Sequence, residues 1–275
     1  MSKKLIFVDI DGTLTSAGSN VPPESALNAI RKAQVNGHKV FLCTGRNLDM
    51  LSPLLKYGFD GIVGSAGGYV QCEEEVIYDM PMTSEQRDVA LDLLHKNGVF
   101  CTIEAKDGSY GDDDLSAFLD DMGNEGNSEI QRWRKALAEN LNIVPMKDYD
   151  GRPVYKVVIM CREMGQLDEC RKALEDQFNF CMQEVKEHSC INGELINRAF
   201  DKGRGVERVC EHYGMSLEDT IGFGDSMNDL EMMEKVNISV AMDNGAEAIK
   251  KISTMVTDSV EEDGLAKAFE KLGLC

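Results

Sequence analysis

Leu5-Ile6-Phe7-Val8-Asp9-Ile10-Asp11-Gly12-Thr13-Leu14-Thr15 joins a short apolar run to two carboxylates and a glycine turn. Leu5–Ile10 reads as a strand buried on both faces, the kind found inside a parallel sheet. The chain begins to turn at Gly12, so Asp9 and Asp11 stand at the strand's carboxyl end, where ligands of open α/β sheets bind. Two carboxylates so spaced can share a site, one as nucleophile and the other as proton donor and acceptor. Asp-Gly is also an ordinary turn, so the stretch gains its weight from motifs further along the chain.

A βα rhythm continues downstream. Pro22-Pro23-Glu24 opens a helix with Leu27, Ile30 and Ala33 on one face, and Asn36-Gly37 stops it. Lys39–Cys43 is a second strand, Leu48 to Leu55 a second helix and Gly61–Val63 a third strand, which predicts an α/β fold on a parallel sheet. From Tyr69 the texture changes. Tyr69–Gln71 and Val76–Tyr78 read as a hairpin around Glu73-Glu74-Glu75, and Thr83-Ser84-Glu85-Gln86 offers a capping box. Strands near 99–104, 154–160, 180–186 and 189–191 and a helix near 167–174 complete an α+β block. Asp112-Asp113-Asp114 reads as favourable charge at the start of a helix carrying Leu115, Phe118, Leu119 and Met122. The βα rhythm resumes with a helix at 203–213, strands at 220–223 and 238–241, and later helices near 246–252 and 265–272. The expected organisation is a doubly wound core, residues 1–80 and 192–275, interrupted by an α+β domain at 81–191.

Three further strand-end motifs accompany the first. Thr44-Gly45-Arg46 places a hydroxyl and backbone N–H groups where a phosphate could be cradled. Lys202 in Asp201-Lys202-Gly203 opens the helix at which the core rhythm returns; alone it would pass for a surface lysine. Gly222-Phe223-Gly224-Asp225-Ser226-Met227-Asn228-Asp229 again sets acidic groups after a strand. Asp225, Asn228 and Asp229 are hard oxygen donors or their supports, suited to Mg²⁺, although a helix cap at Asp225 or Ser226 explains part of the pattern equally well.

Composition narrows the function. The formal net charge of −19 over 275 residues disfavours nucleic acid and anionic membranes as partners. A hydrophobic fraction of 43% supports a packed core, and no stretch reaches the ~20 apolar residues of a membrane span. No signal peptide is read at the N-terminus, so a cytoplasmic protein is expected. The nine cysteines include no Cys-x-x-Cys, and they read as reduced, small apolar residues. His38, His95, His188 and His212 lack metal-ligand spacing and read as structural or exposed.

The order Asp, Thr, Lys, Asp at four strand ends resembles the haloacid dehalogenase superfamily, and within it the Cof-type phosphatases with a large α/β cap inserted before the lysine. Val240-Ala241-Met242-Asp243-Asn244-Gly245-Ala246 and Asp263-Gly264 also resemble that subfamily's ending. The resemblance implies Asp9 as nucleophile, Asp11 as general acid and base, and a phosphoryl group held by Thr44, Gly45, Lys202 and Asn228. It implies Mg²⁺ bound by Asp9, by Asp11 through its backbone carbonyl, and by Asp225, with Asp229 behind them. One departure is visible: Ser65-Ala66-Gly67-Gly68 puts Ala66 where the subfamily usually carries asparagine. The expected activity is hydrolysis of small phosphomonoesters by a monomer or weak homo-oligomer, sugar phosphates first and phosphorylated cofactors next. A phosphomutase using the same aspartates and a catalytically idle phosphate-binding protein are the alternatives. Tyr110, Phe118 and Trp133 are candidate substrate contacts that read more readily as core of the inserted domain.

Overall fold

The computed structural model describes residues 2–115, 117–118, 143–182 and 191–275. The chain opens with strands β1 (Leu5–Val8), β2 (Lys39–Cys43) and β3 (Gly61–Gly64), then a hairpin of β4 (Tyr69–Cys72) and β5 (Glu75–Asp79). Next come β6 (Phe100–Ala105), β7 (Gly108–Gly111), β8 (Ile143–Pro145), β9 (Val154–Cys161), β10 (Phe178–Met182) and β11 (Ile191–Asn197). The last strands are β12 (Thr220–Gly224), β13 (Ile238–Met242) and β14 (Met255–Thr257). They form two sheets in two compact units: Met1–Arg46, Leu51–Asp79 and Phe200–Cys275 in one, Asn47–Met50 and Met80–Ala199 in the other.

The first unit holds an eight-stranded sheet in the order β14-β13-β12-β1-β2-β3-β4-β5. The strands from β14 to β3 pair in parallel, and the β4–β5 hairpin adds two antiparallel strands at one edge. All four residues of β1 are buried, as expected for a central strand covered on both faces. Phe7, Phe41, Val63, Val206, Val209 and Met232 pack on one face, and Phe223 stacks on Phe269 on the other. The strand order reverses around β1, with β2 on one side and β12 on the other, so the crevice at their carboxyl ends is a topological switch point. The doubly wound α/β core expected from the sequence is borne out.

The second unit is a six-stranded sheet in the order β10-β11-β9-β6-β7-β8. The helices Ser84–Lys96 and Asp168–Leu174 contribute Ala90, Leu94, Cys170 and Leu174 to a core with Cys101, Ile103, Val157 and Ile159. The capping box is present: Gln86 N–H donates to the Thr83 hydroxyl and Thr83 N–H to the Gln86 side chain. Tyr110 is core here, edge-on to Tyr149, and Phe118 stacks on Phe100. Trp133, Arg132, Arg134, Leu119, Met122 and His188 lie outside the described residues.

Three features differ from the sequence expectation. The sequence reading puts the return to the first unit at residue 192, yet Ile191–Asn197 is a strand paired antiparallel with β9 and β10. Its alternation of Ile191 and Leu195 into the second core holds it there. The short strands β7, β8 and β14 are additions to that reading, because three or four residues give too little periodicity to read. Asp112 is more than helix-terminal charge: it accepts from Cys101 N–H (2.8 Å) and lies 3.0 Å from His95 Nε2. The Asp112 hydrogen bond outweighs burial and holds the His95 imidazole above its ordinary range.

Candidate active site

The site is built from the carboxyl ends of β1, β2 and β12 and the first turn of the helix Lys202–Tyr213, all in the first unit. Asp9 continues β1 by donating its N–H to the Phe223 carbonyl on β12 (3.0 Å). After Ile10 the chain coils back: Gly12 N–H reaches the Thr15 carbonyl, and Leu14 and Thr15 N–H reach that of Ile10. Gly12 has φ of +89°, and a Cβ there would lie 2.3 Å from Asp225 Oδ2, so only glycine lets the two loops approach. Asn244 clamps this turn, donating to the Gly12 carbonyl (2.8 Å) while its Oδ1 accepts from Val260 N–H (2.9 Å).

Lys202 is the hub. Its side chain is 1% exposed, and Nζ donates to Asp9 Oδ1 at 2.7 Å, Asp229 Oδ1 at 2.5 Å and Asn228 Oδ1 at 3.3 Å. Asp201 caps the helix by accepting from Arg204 N–H, which starts it at Lys202 and aims the lysine back into the crevice. Asp229 is fully buried. Its Oδ2 accepts from the N–H groups of Asp225 and Ser226, both at 3.0 Å, leaving Oδ1 for the lysine. Asp225 Oδ1 accepts from the Thr13 hydroxyl at 3.4 Å, and its backbone carbonyl takes Ala246 N–H at 2.7 Å.

Carboxylate oxygens of Asp9, Asp225 and Asp229 lie within 4.8 Å of one another. Burial, then Asp229, push Asp225 up to about 7, and the same causes carry Asp9 well above the usual carboxylate range against the pull of Lys202. A nucleophilic role calls for a lowered value; this donor set alone raises it. Burial also disfavours the Lys202 ammonium, but Asp229 and Asp9 outweigh it and hold the lysine well above its ordinary value. Fully ionised, three carboxylates against one ammonium carry two negative charges, and the donors are all oxygen. The set fits a hard divalent cation.

The sequence candidates are brought together unevenly. Asp9, Lys202, Asp225, Asn228 and Asp229 form one connected cluster. Thr44 leaves β2 beside it, since Val8 stands opposite Leu42, and Gly45 comes next. Among the described residues no hydrogen bond joins Thr44 to the cluster; its hydroxyl accepts from Arg46 N–H (3.2 Å). The Asp11 carboxylate lies outside the acidic group and is held by Arg46, while the Asp229 carboxylate lies beside those of Asp9 and Asp225. Sequence reasoning gives no role to Thr13, Arg46 or Asn244, although all three stand within the motifs it marks. Ala66 adopts φ 57°, ψ 30° and donates its N–H to the Thr44 carbonyl (3.0 Å), so the left-handed turn that suits asparagine is kept without it.

Residues 6–269 match the family described as haloacid dehalogenase-like hydrolases. The chain belongs to that family. This haloacid dehalogenase-like hydrolase is 29% identical over 280 residues to YkrA of Bacillus subtilis (strain 168), which carries a provisional phosphatase name, covering 100% of this chain and 99% of that one. It is 25% identical over 283 residues to the 5-amino-6-(5-phospho-D-ribitylamino)uracil phosphatase YwtE of the same organism, covering 98% of each. Among solved structures it resembles the subclass IIB sugar phosphatase BT4131, with a TM-score of 0.78 and 25% identity over 99% of this chain and 100% of that one. The expectation of a hydrolase in the phosphatase branch of this superfamily is borne out. Among the described residues no helix is long and apolar enough to cross a membrane.

Proposed function

We propose that this hydrolase is a Mg²⁺-dependent phosphatase of small phosphomonoesters that works through an aspartyl-phosphate on Asp9. The observation that carries this reading is the buried Lys202 bridge between Asp9 and Asp229, with Asp225 alongside. The two negative charges that the cluster carries when fully ionised favour Mg²⁺, held by Asp9, Asp225 and the Asp11 backbone carbonyl, with Asp229 supporting. Bound there, the ion supplies Lewis-acid stabilisation of the phosphoryl oxygens.

The chain's own residues do the rest. The Asp9 carboxylate attacks phosphorus as the bond to the leaving oxygen breaks, and Asp11 gives that oxygen its proton. Water then attacks the acyl phosphate, Asp11 takes a proton from it, and the Asp9 carboxylate and inorganic phosphate are regenerated. The Thr44 hydroxyl, Gly45 N–H and Lys202 ammonium, with Asn228 beside the lysine, receive the equatorial oxygens.

Sugar phosphates lead as substrates, in keeping with the sugar-phosphatase name of the solved neighbour BT4131, and phosphorylated cofactors come second. Water is the acceptor in this reading and not a second sugar hydroxyl. A mutase needs a second cationic phosphate clamp. The described arginines of the second unit are engaged within it: Arg87 with Asp88 and the Tyr149 hydroxyl, Arg152 with Asp107 and Asp150, Arg162 over Phe118, Arg171 over Phe180 and Arg198 with the Phe178 carbonyl. A cytoplasmic setting suits the described cysteines, all of them free thiols. The test is phosphate release from a panel of phosphomonoesters by wild type and Asp9→Asn. The variant should be folded and inactive; near-normal release by pure Asp9→Asn protein refutes the reading.

A further inference from the structure

Arg46 is the one residue of the Thr44-Gly45-Arg46 motif that the proposed chemistry leaves without work, yet its side chain is among the most fully engaged at the site. It is 12% exposed and spends its whole fork on the loop after β1. Nε donates to Asp11 Oδ2 at 2.8 Å and Nη2 to Asp11 Oδ1 at 2.7 Å, a bidentate pair. Nη1 donates to Asn20 Oδ1 at 2.6 Å, and Nη2 also reaches the Ser19 carbonyl at 3.2 Å. Gly18 N–H gives Asp11 Oδ1 a further donor at 2.8 Å. The backbone of Arg46 is fixed as firmly, with its N–H on the Thr44 hydroxyl and its carbonyl accepting from Ser65 N–H (2.9 Å).

A carboxylate on an exposed loop rotates freely about two bonds, and a proton-transfer group loses rate steeply when misplaced by an ångström. A planar guanidinium removes that freedom, because two parallel N–H···O bonds set the direction of the carboxylate as well as its place. Lysine in the same place would offer a point charge without direction.

We propose that Arg46 is a positioning residue that aligns the Asp11 carboxyl for proton transfer to and from the reacting oxygens. The inference rests on the phosphatase reading of the site. It gives Arg46 no contact with the phosphoryl group, so its loss acts through Asp11 alone.

The experiment compares kcat/KM for glucose 6-phosphate, an alkoxide leaving group that needs a proton, with p-nitrophenyl phosphate, whose leaving group departs without one. Wild type, Arg46→Met, Arg46→Lys, Asp11→Asn and the Arg46→Met/Asp11→Asn double variant are assayed as full chains with Mg²⁺, and the melting midpoint of each is recorded. Arg46→Met should lower kcat/KM for the sugar phosphate by about 10²-fold or more, within the range of general acid–base catalysis, and for the aryl phosphate by less than about tenfold. Arg46→Lys should fold like wild type and show the same substrate pattern. The double variant should fall no more than about threefold below Asp11→Asn, since residues that act as a unit are not additive. Equal losses on both substrates, or losses that multiply in the double variant, overturn the assignment of Arg46 while leaving the phosphatase reading standing. Absence of turnover in wild type on both substrates and across the phosphomonoester panel sinks that reading itself, and this inference with it.

Discussion

Replacing Asp225 by asparagine should stabilise the cation-free protein at neutral and alkaline pH. Asp225 is buried against Asp229 and is pushed up to about 7, whereas an unfolded chain releases that proton near the ordinary carboxylate value of about 4. Proton counts set the sign. Between those two values the folded chain binds a proton that the unfolded chain does not, so stability is fully present below about pH 4 and is lost as pH rises to 7. Three pH units at about 1.4 kcal/mol each give a loss of about 4 kcal/mol for this one group. Asparagine keeps the shape, can still accept from the Thr13 hydroxyl, and carries no charge to desolvate. Asp225→Asn should therefore exceed wild type by about 3–4 kcal/mol at pH 8 and match it within about 1 kcal/mol at pH 4.5.

The assay is urea unfolding of both proteins in chelator at half-unit pH steps, with slopes compared so that the midpoints report stability. Adding Mg²⁺ at a hundredfold excess over its dissociation constant should return about 2.7 kcal/mol to wild type and little to the variant. A variant that is less stable than wild type at pH 8, or a difference that does not vary with pH, would falsify the account of the acidic cluster.

Other consequences concern neighbouring residues. Lys202→Met leaves Asp9 and Asp229 buried without their shared cation, and should cost about 3–5 kcal/mol at pH 8 by the same unfolding assay; a loss under 1 kcal/mol would show that the pairing matters little. At Ala66, whose φ of 57° favours glycine, Ala66→Gly should range from neutral to about 1 kcal/mol stabilising, and Ala66→Val should cost about 2 kcal/mol or more; a well-tolerated valine would contradict the left-handed turn. His95 is held above its ordinary value by Asp112, so the pair stabilises below about pH 6.5 and the benefit fades as pH rises through the folded value. Because His95 is partly exposed, Asp112→Asn should lower the melting midpoint by the equivalent of under about 1 kcal/mol more at pH 6 than at pH 8.5; equal loss at both would remove the charge argument.

The core was legible because β1, β2 and β12 are short buried runs punctuated by glycine and carboxylates, and that pattern has few other solutions in a parallel sheet. Lys202 and Asp9 are 193 positions apart in sequence, yet Asp9 stood at the end of one legible element and Lys202 at the start of another, so topology alone brings them together. What stayed hidden depends on direction. A sequence shows Arg46 beside Thr44 but not that its fork turns toward Asp11, and it shows Asn244 without the Gly12 carbonyl it clamps. Lys156 in the second unit reads as an ordinary strand lysine. Register places it opposite Glu104, and its Nζ lies 3.2 Å from the buried Glu104 and 2.6 Å from the partly exposed Glu194. Such pairs depend on cross-strand register, which no local pattern encodes.

The same charges that make the cluster costly dictate an order of binding. A phosphomonoester arrives as a dianion at a chain of net charge −19 and a site that is two charges negative once its carboxylates are ionised for attack. Lys202 cannot offset this alone, because its Nζ is already shared between Asp9 and Asp229. Arg46 does not help either, since its fork is committed to Asp11, Asn20 and Ser19. Repulsion between like charges in a buried site amounts to several kcal/mol, of order 4 at 4 Å for an effective dielectric of about 20. The cation must therefore bind before the phosphoryl group or together with it. Calorimetric titration of wild type with orthophosphate, an anion that needs no turnover, should detect binding in Mg²⁺ and none after chelation. Equal phosphate affinity in both buffers would mean that another cationic group receives the anion, and the charge argument built on Lys202 would fail.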